Sequence, residues 1–255
     1  MKISIITVVC GNSTVIADAI ASVLDQDHPD VELIVIDCAR DDRTLKAIQP
    51  YAEKITHLLS EPDRGAYDAM NKGLLLASGE VIGFLHSDDL YADHLVLSRI
   101  ASTMTNPAVD ACYSDMYYVC QDDLSRVIRY WKSCPYHTHL LRKGWMPPHP
   151  TLYVRRLFYQ RLGSFNLRYQ IAADYDWMLR FLSTNGIRCE YIPEALVHMR
   201  MGGMSNRSLG KILRKSYEDY LILRQNRMGG LLTLLRKNIQ KIGNFHSQCY
   251  HWNPK

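Results

Sequence analysis

Apolar residues change period several times along the chain, and each change marks an element. Ile3 to Val9 (Ile-Ser-Ile-Ile-Thr-Val-Val) is nearly unbroken, as a central parallel strand covered on both faces requires. Gly11-Asn12-Ser13 interrupts it. Ser13 or Thr14 can cap a helix to about Gln26, whose Ile16, Ala19, Ile20, Val23 and Leu24 recur at helical spacing. Glu32 to Asp37 reads as a second strand and ends on a carboxylate. A helix capped by Asp41 or Asp42 runs to about Glu53, and a third strand spans Ile55 to Leu59. The polar loop Ser60 to Gly65 leads to a helix through about Ala77. Val81 to Leu85 is a fourth buried strand, followed by Asp88-Asp89 and a helix from Leu95 to Met104.

Strand and helix alternate over these hundred residues, which predicts a mostly parallel, doubly wound α/β sheet flanked by helices. Ligands of such sheets sit beyond the carboxyl ends of the strands. Asp37, the Asp63-Arg64 loop and Asp88-Asp89 all follow strand ends, so the topology should gather them on one rim. The second half is less regular. Strands are expected at Ala111 to Val119, Arg126 to Trp131, Thr151 to Val154 and Cys189 to Ile192, with helices at Arg155 to Leu162 and Tyr175 to Leu182. Pro147-Pro148-His149-Pro150 is a rigid stretch between them. Two basic amphipathic helices, broken at Gly229-Gly230, span Ser208 to Ile242.

Charge divides the chain at about residue 205. The last fifty residues hold ten Lys/Arg against Glu218 and Asp219, whereas residues 1–205 carry a net −4. An acidic body with a basic tail points to a tail that meets an anionic surface, and not to a nucleic-acid binder. The seven cysteines are scattered, with no Cys-x-x-Cys pair. That spacing argues against a disulfide framework and a zinc site, and for a reducing compartment. With neither a signal-like leader nor a long apolar run, the expectation is a cytoplasmic protein able to rest on the inner face of the cell membrane.

Adjacent carboxylates at the mouth of a buried strand repel one another and resist desolvation, unless a cation reaches them. Hard oxygen donors suit Mn²⁺ or Mg²⁺, and those ions suit a nucleotide diphosphate. Neither Gly-x-Gly-x-x-Gly nor a Gly-x₄-Gly-Lys-Ser/Thr loop is present. Dinucleotide binding and P-loop chemistry are thereby disfavoured, and phosphate recognition falls to metal and arginine.

A set of ordered motifs resembles the inverting family 2 glycosyltransferases of GT-A fold, especially small bacterial enzymes of surface-polysaccharide assembly. The likeness covers about residues 2–205. It is carried by Ile3 to Val9, Ile34-Val-Ile-Asp37 with Asp42 and Thr44, Glu61-Pro-Asp-Arg-Gly65, and Tyr67-Asp-Ala-Met-Asn-Lys-Gly73. Ala77-Ser-Gly-Glu80 follows, running into Phe84-Leu-His-Ser-Asp-Asp89. Pro148-His149, Gly163-Ser-Phe165, Ala173-Asp-Tyr-Asp176 with Leu179-Arg180, and Gly202-Gly-Met-Ser205 complete the set.

The resemblance implies a catalytic domain over 1–205, with a nucleotide-sugar half (1–105) and an acceptor half (106–205), then a basic helical extension over 206–255. Donor contacts would come from Thr7, Asp37, Asp63, Arg64, Asn71 and Asp88, with Asp37 reading the base. Asp88 and Asp89 would hold Mn²⁺ or Mg²⁺, with His198 a candidate third ligand. Asp174 would be the base that deprotonates the acceptor, Asp176 ranking second, and His149 would border the acceptor. Arg180 is expected to pair with a neighbouring carboxylate. The chain departs from the family pattern at His86, where Asp or Asn is usual, and at Cys38-Ala39-Arg40-Asp41, where the family has a glycine-rich turn. The implied reaction moves one sugar from a nucleotide sugar, UDP-linked, to a growing glycan on a polyprenyl diphosphate. The competing readings are a nucleotide-sugar pyrophosphorylase and an inactive nucleotide- or glycan-binding module.

Overall fold

Strand Ile3–Val9 (β1) is buried along its whole length and forms the middle of the parallel half of the molecule. It pairs in parallel with Val31–Asp37 (β2) on one side and Val81–Phe84 (β4) on the other; His57–Ser60 (β3) lies beyond β2. The computed structural model describes residues 1–11, 14–39, 42–201 and 209–243. Ser13, Arg40, Asp41, the Gly202–Ser205 motif, the expected boundary at 205/206 and the end of the basic tail lie outside them. Past β4 the sheet becomes mixed. Tyr153–Arg155 (β8) is antiparallel to β4 and to Ala111–Val119 (β6), and Val127–Trp131 (β7) is antiparallel to β6. Cys189–Arg200 (β9) runs parallel to β6, and the short Asp89–Tyr91 (β5) closes antiparallel on β9.

The helices are Ile16–Leu24 (α1), Arg43–Ile48 (α2), Ala66–Leu76 (α3), Val96–Met104 (α4), Arg156–Leu162 (α5), Ala173–Leu182 (α6), Leu209–Gln225 (α7) and Leu231–Gly243 (α8). Side-chain alternation along β1 feeds two cores. Ile3, Ile5 and Val9 pack with Ile16, Ile20, Val96 and Ile100, while Ile6 and Val8 pack with Met70, Tyr175 and Trp177. Close approach fixes two glycines. A Cβ on Gly73 would sit 2.4 Å from Ile6 Cγ2, and one on Gly83 would sit 2.3 Å from the Tyr153 ring.

The structure departs from the sequence pattern in four places. The helix after β2 gives way to a 3₁₀ turn over Gln49–Lys54, with Pro50 at its start. Strand β9 continues to Arg200 instead of stopping at Ile192. Pro193 and Glu194 form a bulge, since Ile192 pairs with Ser114 and Ala195 with Asp115, and this breaks the alternation. Strand β5 has only three residues, too few for a pattern to declare. Lastly, Cys10 and Cys38, at the ends of adjacent strands, form a disulfide with Cα atoms 5.2 Å apart, contrary to the expectation drawn from their wide spacing. Cys112, Cys120, Cys134 and Cys189 are free.

The basic helices pack into the body. Ile222 and Leu223 are fully buried in the core that contains Trp177 and Phe181. Lys237 reaches Asp219 at 2.8 Å, both nearly inaccessible, with its ammonium 3.0 Å from the Tyr175 ring centroid. Their outer surface still shows Leu213, Tyr217, Leu231, Leu232, Leu235 and Ile239 to solvent.

At the opposite edge of the strands, buried Glu32 ties three segments together. Its carboxylate accepts from Lys2 Nζ (2.8 Å), Ser4 Oγ, Ser78 Oγ (2.6 Å) and Ser78 N–H (2.8 Å). Burial alone would raise its pKa; these hydrogen bonds outweigh it and bring the value from 4.5 to about 2. A group depressed in the folded state stabilises above its unfolded pKa and loses that contribution as pH falls toward the folded value. Glu32→Gln should therefore unfold more easily than the parent at pH 7, by about 1–3 kcal/mol. In urea titrations the gap should narrow as pH falls from 4.5 toward about 2. A gap independent of pH would show that the carboxylate charge contributes nothing.

Candidate active site

Parallel pairing brings the expected acidic residues to one rim. Val9, Asp37 and Ser60 stand level at the ends of β1, β2 and β3. Asp37 is 1% exposed, and its Oδ2 accepts from Ser60 Oγ at 2.6 Å. Asp63 curls back beside it. One carboxylate oxygen takes the Gly65 N–H at 2.7 Å, where φ of +118° favours glycine, and the other is buried with no partner. Arg64 projects into solvent and pairs with Asp68 at 3.1 Å. Thr7 is buried in β1, its hydroxyl also without a partner.

Strand β4 stops short of this level, with Phe84 opposite Ile6, and the chain folds over the rim. The Asp89 N–H donates to His86 O at 3.0 Å, and Asp89 enters β5 opposite Met199. The Asp89 side chain is fully buried, and neither oxygen has a hydrogen-bond partner among the described residues. Burial, then the charge of Asp88, pushes its carboxyl well above the usual carboxylate range; the His86 backbone contact and Arg200 only partly offset this. Arg200, at the end of β9, is 5% exposed. One nitrogen meets Asp18 at 2.5 Å, while Nε and Nη1 have no partner among the described residues. A buried acid and a buried guanidinium, each incompletely paired and close enough to feel one another, form a receptor for a cation and an anion together.

Aromatic rings connect this point to the predicted base. His86 stacks on His149 (centroids 5.9 Å apart), which stacks on Phe84 (5.4 Å). Burial lowers the His86 pKa, against the pull of Asp88 and Asp174. Burial also takes His149 down to about 4, against Asp174, so both rings are neutral at physiological pH. Asp174 lies in the first turn of α6. The Tyr67 hydroxyl sits 2.9 Å from its Oδ1 and 2.8 Å from Ile171 O. Burial opposes ionisation of Asp174, but His149, Lys215, the Tyr67 hydroxyl and the Tyr175 N–H outweigh it and hold its pKa below the ordinary value. The turn that aims Asp174 is set by Glu218 of α7, whose carboxylate takes the N–H groups of Gln170, Ile171 and Ala172 at 3.1, 2.9 and 3.0 Å.

Three sequence-derived candidates belong elsewhere. Asp176 is buried against Arg180 (3.0 Å) and approached by Asn226 (3.4 Å), so it fastens α6 to α7 and cannot reach an acceptor; Arg180 makes the structural pair expected of it. His198 lies inside β9, opposite Leu90, while Asp89 faces Met199. Neighbouring positions point to opposite faces. Among the described residues no three-ligand group forms from Asp88, Asp89 and His198. Burial takes His198 to about 4 and its ring packs on Tyr117. The Asn71 amide is occupied at both ends by the Phe165 backbone, at 3.0 and 2.9 Å, which makes it a clamp beneath the cleft. The sequence reading overlooked Tyr67, Arg200 and Glu218. Tyr67 stood within one of the motifs, and Arg200 stood two residues before another. Glu218 gave no signal beyond being one of two acids in a basic tail.

The fit to Mn²⁺ or Mg²⁺ can be judged from Asp89 itself. Two buried, unpartnered oxygens beside a second carboxylate suit a hard divalent cation, and such ions take their remaining ligands from substrate phosphates and water. No third protein ligand is needed.

Comparison with known proteins identifies the family and the fold. The family model described as glycosyl transferase family 2 matches residues 4–178. A PGL/p-HBAD biosynthesis glycosyltransferase of Mycobacterium bovis is 27% identical over 220 residues, covering 82% of this chain and 80% of that one. Among solved structures, S. aureus TarS 1–349 superposes with a TM-score of 0.67 at 20% identity, covering 89% of this chain; this chain spans 64% of that fragment. The mannosyltransferase PcManGT from Pyrobaculum calidifontis, in complex with GDP-Man and Mn²⁺, gives 0.66 at 18% identity, covering 95% and 70%. The last two likenesses show the fold, a GT-A-like α/β arrangement. With the family model spanning more than half of its length on that fold, the chain belongs to glycosyltransferase family 2.

Proposed function

We propose that this enzyme transfers a single sugar, with inversion, from a UDP-sugar to a lipid-linked surface glycan, assisted by Mn²⁺ or Mg²⁺. The observation that carries the reading is Asp89, fully buried with neither oxygen hydrogen-bonded among the described residues, joined through the stacked His86 and His149 rings to an Asp174 whose carboxyl is held below the ordinary value. Asp37, Asp63 and Thr7 would face the nucleoside, with Arg64 at the mouth. Asp88 and Asp89 would hold the ion, which when bound neutralises charge on the departing diphosphate. Arg200 Nε and Nη1 would donate to the same phosphates. Asp174 would take the acceptor proton as its oxygen attacks the anomeric carbon, and Tyr67 would keep the carboxylate aimed. His149, neutral and stacked, would wall the acceptor side without competing for that proton.

Support for the donor comes from relatives. TarS has been solved with UDP and with UDP-GlcNAc, and PcManGT with GDP-Man and Mn²⁺. Support for a surface glycan comes from the biosynthetic role named for the mycobacterial relative. For the anionic lipid there is local support: Arg168, Arg214 and Arg224 line a cavity of 860 Å³ with Tyr217 and Leu221, beside the Glu218 that sets the Asp174 turn. The exposed apolar residues of α7 and α8 would rest on the membrane surface. No helix among the described residues is long and apolar enough to cross a bilayer.

Two experiments test this. Asp174→Asn and Asp89→Ala should each lower kcat by roughly 10²–10⁴. Only Asp89→Ala should also weaken Mn²⁺-supported UDP binding by calorimetry; near-normal turnover in Asp174→Asn would refute the base. The second follows from proton affinity. Asp89 is raised in the folded state, so folded protein is destabilised as pH climbs above the unfolded carboxylate value of ~3.9. Without metal, Asp89→Asn should melt above the parent at pH 7, with the difference shrinking toward pH 4. Adding Mn²⁺ and UDP should raise the parent's melting point and leave the variant's almost unmoved. A variant less stable than the parent at every pH would mean that the carboxylate has a structural partner.

A further inference from the structure

The Cys38 turn, one of the departures from the family pattern, meets Cys10 at the end of the neighbouring strand and the Asp63 carboxylate. Sγ of Cys10, Sγ of Cys38 and a carboxylate oxygen of Asp63 all lie within 4.8 Å of one another. The scaffold beneath them is rigid: Cys10 follows β1, Cys38 follows β2, and the Cys38 N–H donates to Val9 O at 3.1 Å. In the disulfide state the site is not fully satisfied. Gly65 holds one Asp63 oxygen, and the second is buried with no hydrogen-bond partner among the described residues. A buried carboxylate oxygen of this kind calls for a cation.

We propose that, in the reduced protein, Cys10, Cys38 and Asp63 bind a thiophilic divalent ion of the Zn²⁺ class, separately from the hard-ion position at Asp88 and Asp89. Two thiolates and one carboxylate select Zn²⁺ over Mg²⁺ or Mn²⁺, and three protein ligands leave a fourth position open to water or to a ligand. The interconversion balances. Two molecules of a thiol such as glutathione open the bridge, giving it two electrons and two protons, and leave as their own disulfide. Binding the ion then expels the two thiol protons to water. The scattered free cysteines Cys112, Cys120, Cys134 and Cys189 fit a chain that works with its thiols reduced. Both forms cross-link the β1 and β2 ends next to Asp37, but only the ion satisfies Asp63. An ion bound to Asp63 would withhold that carboxylate from a nucleoside, so Zn²⁺ and UDP should oppose one another. That consequence rests on the proposed donor site, whereas the ion binding does not.

The test uses full-length protein reduced with a phosphine under anaerobic conditions and titrated with Zn²⁺, then with Co²⁺ as a spectroscopic probe. Reduced parent and Asp89→Asn should each bind one Zn²⁺ per chain. Cys10→Ser and Cys38→Ser should bind at least a hundredfold more weakly and lose the thiolate-to-Co²⁺ charge-transfer band, and Asp63→Asn should weaken binding at least tenfold. Zn²⁺ should also protect two thiols of the parent from alkylation, a readout that needs no variant to fold. Equal Zn²⁺ affinity in the cysteine variants, or re-formation of the bridge in air with Zn²⁺ present, would overturn the site. In calorimetry, Zn²⁺ should weaken UDP binding to the parent and leave Cys10→Ser unaffected. Cysteine-dependent Zn²⁺ binding with unchanged UDP affinity would uphold the ion site and refute the assignment of Asp63 to the nucleoside.

Discussion

Asp89 is enclosed where the parallel and mixed halves of the sheet meet, and among the described residues neither of its oxygens has a hydrogen-bond partner. An isolated ionised carboxylate in such a place costs several kcal/mol, so burial and the charge of Asp88 raise the proton affinity of the group well above that of an ordinary carboxylate. The surroundings maintain that condition. Strand β5 pins the Asp89 backbone to β9, the turn from His86 shapes the approach, and Arg200 stands near with two nitrogens that have no hydrogen-bond partner among the described residues. A more stable protein would pair these groups with each other. Leaving them incompletely paired sacrifices stability for the capacity to bind, a common trade at sites that handle charge.

The rest of the cleft supports this arrangement from elements distant in sequence. Phe84, His149 and His86 form a neutral stacked wall between the acidic pair and Asp174. Burial lowers the pKa of both imidazoles, so the side of Asp174 they form is a neutral one at physiological pH. Helix α7 holds the turn ahead of Asp174 through Glu218, and α8 holds α7 through the buried Lys237–Asp219 pair. The basic extension is thus structurally continuous with the predicted base, and its outward face remains available to a surface.

Legibility differed between the halves for a physical reason. Strands β1, β2 and β4 are covered on both faces and advertise themselves as apolar runs, so the first hundred residues could be read nearly element by element. In the mixed half, strand β9 contains Pro193 and a bulge, and β5 is three residues long; neither leaves a periodic trace. Among site residues, Asp37, Asp63, Asp88, Asp89, Asp174 and His149 were named from strand ends and motif order; the fold sets Asp37 level with the ends of β1 and β3, and links Asp88, His86, His149 and Asp174 through ring stacking and charge. Asp176 and Asn71 came from the same motifs and His198 from the resemblance alone; Arg180 and the Phe165 backbone occupy the first two, and His198 lies on the opposite face of β9 from the position paired with Asp89. A motif records which residues recur near a site but not which way each side chain points.

The amino-acid sequence by itself determined the alternation of strand and helix, the parallel half of the sheet, and the carboxylates at strand ends, because apolar periodicity and polar punctuation are local properties. Only the tertiary structure decided the rest. It joined Cys10 to Cys38, set Glu218 beneath Asp174, turned His198 away from Asp89, and left Asp89 and one oxygen of Asp63 buried without partners. Each of these depends on the register and packing of segments far apart in the chain. Register is fixed only when the whole core closes.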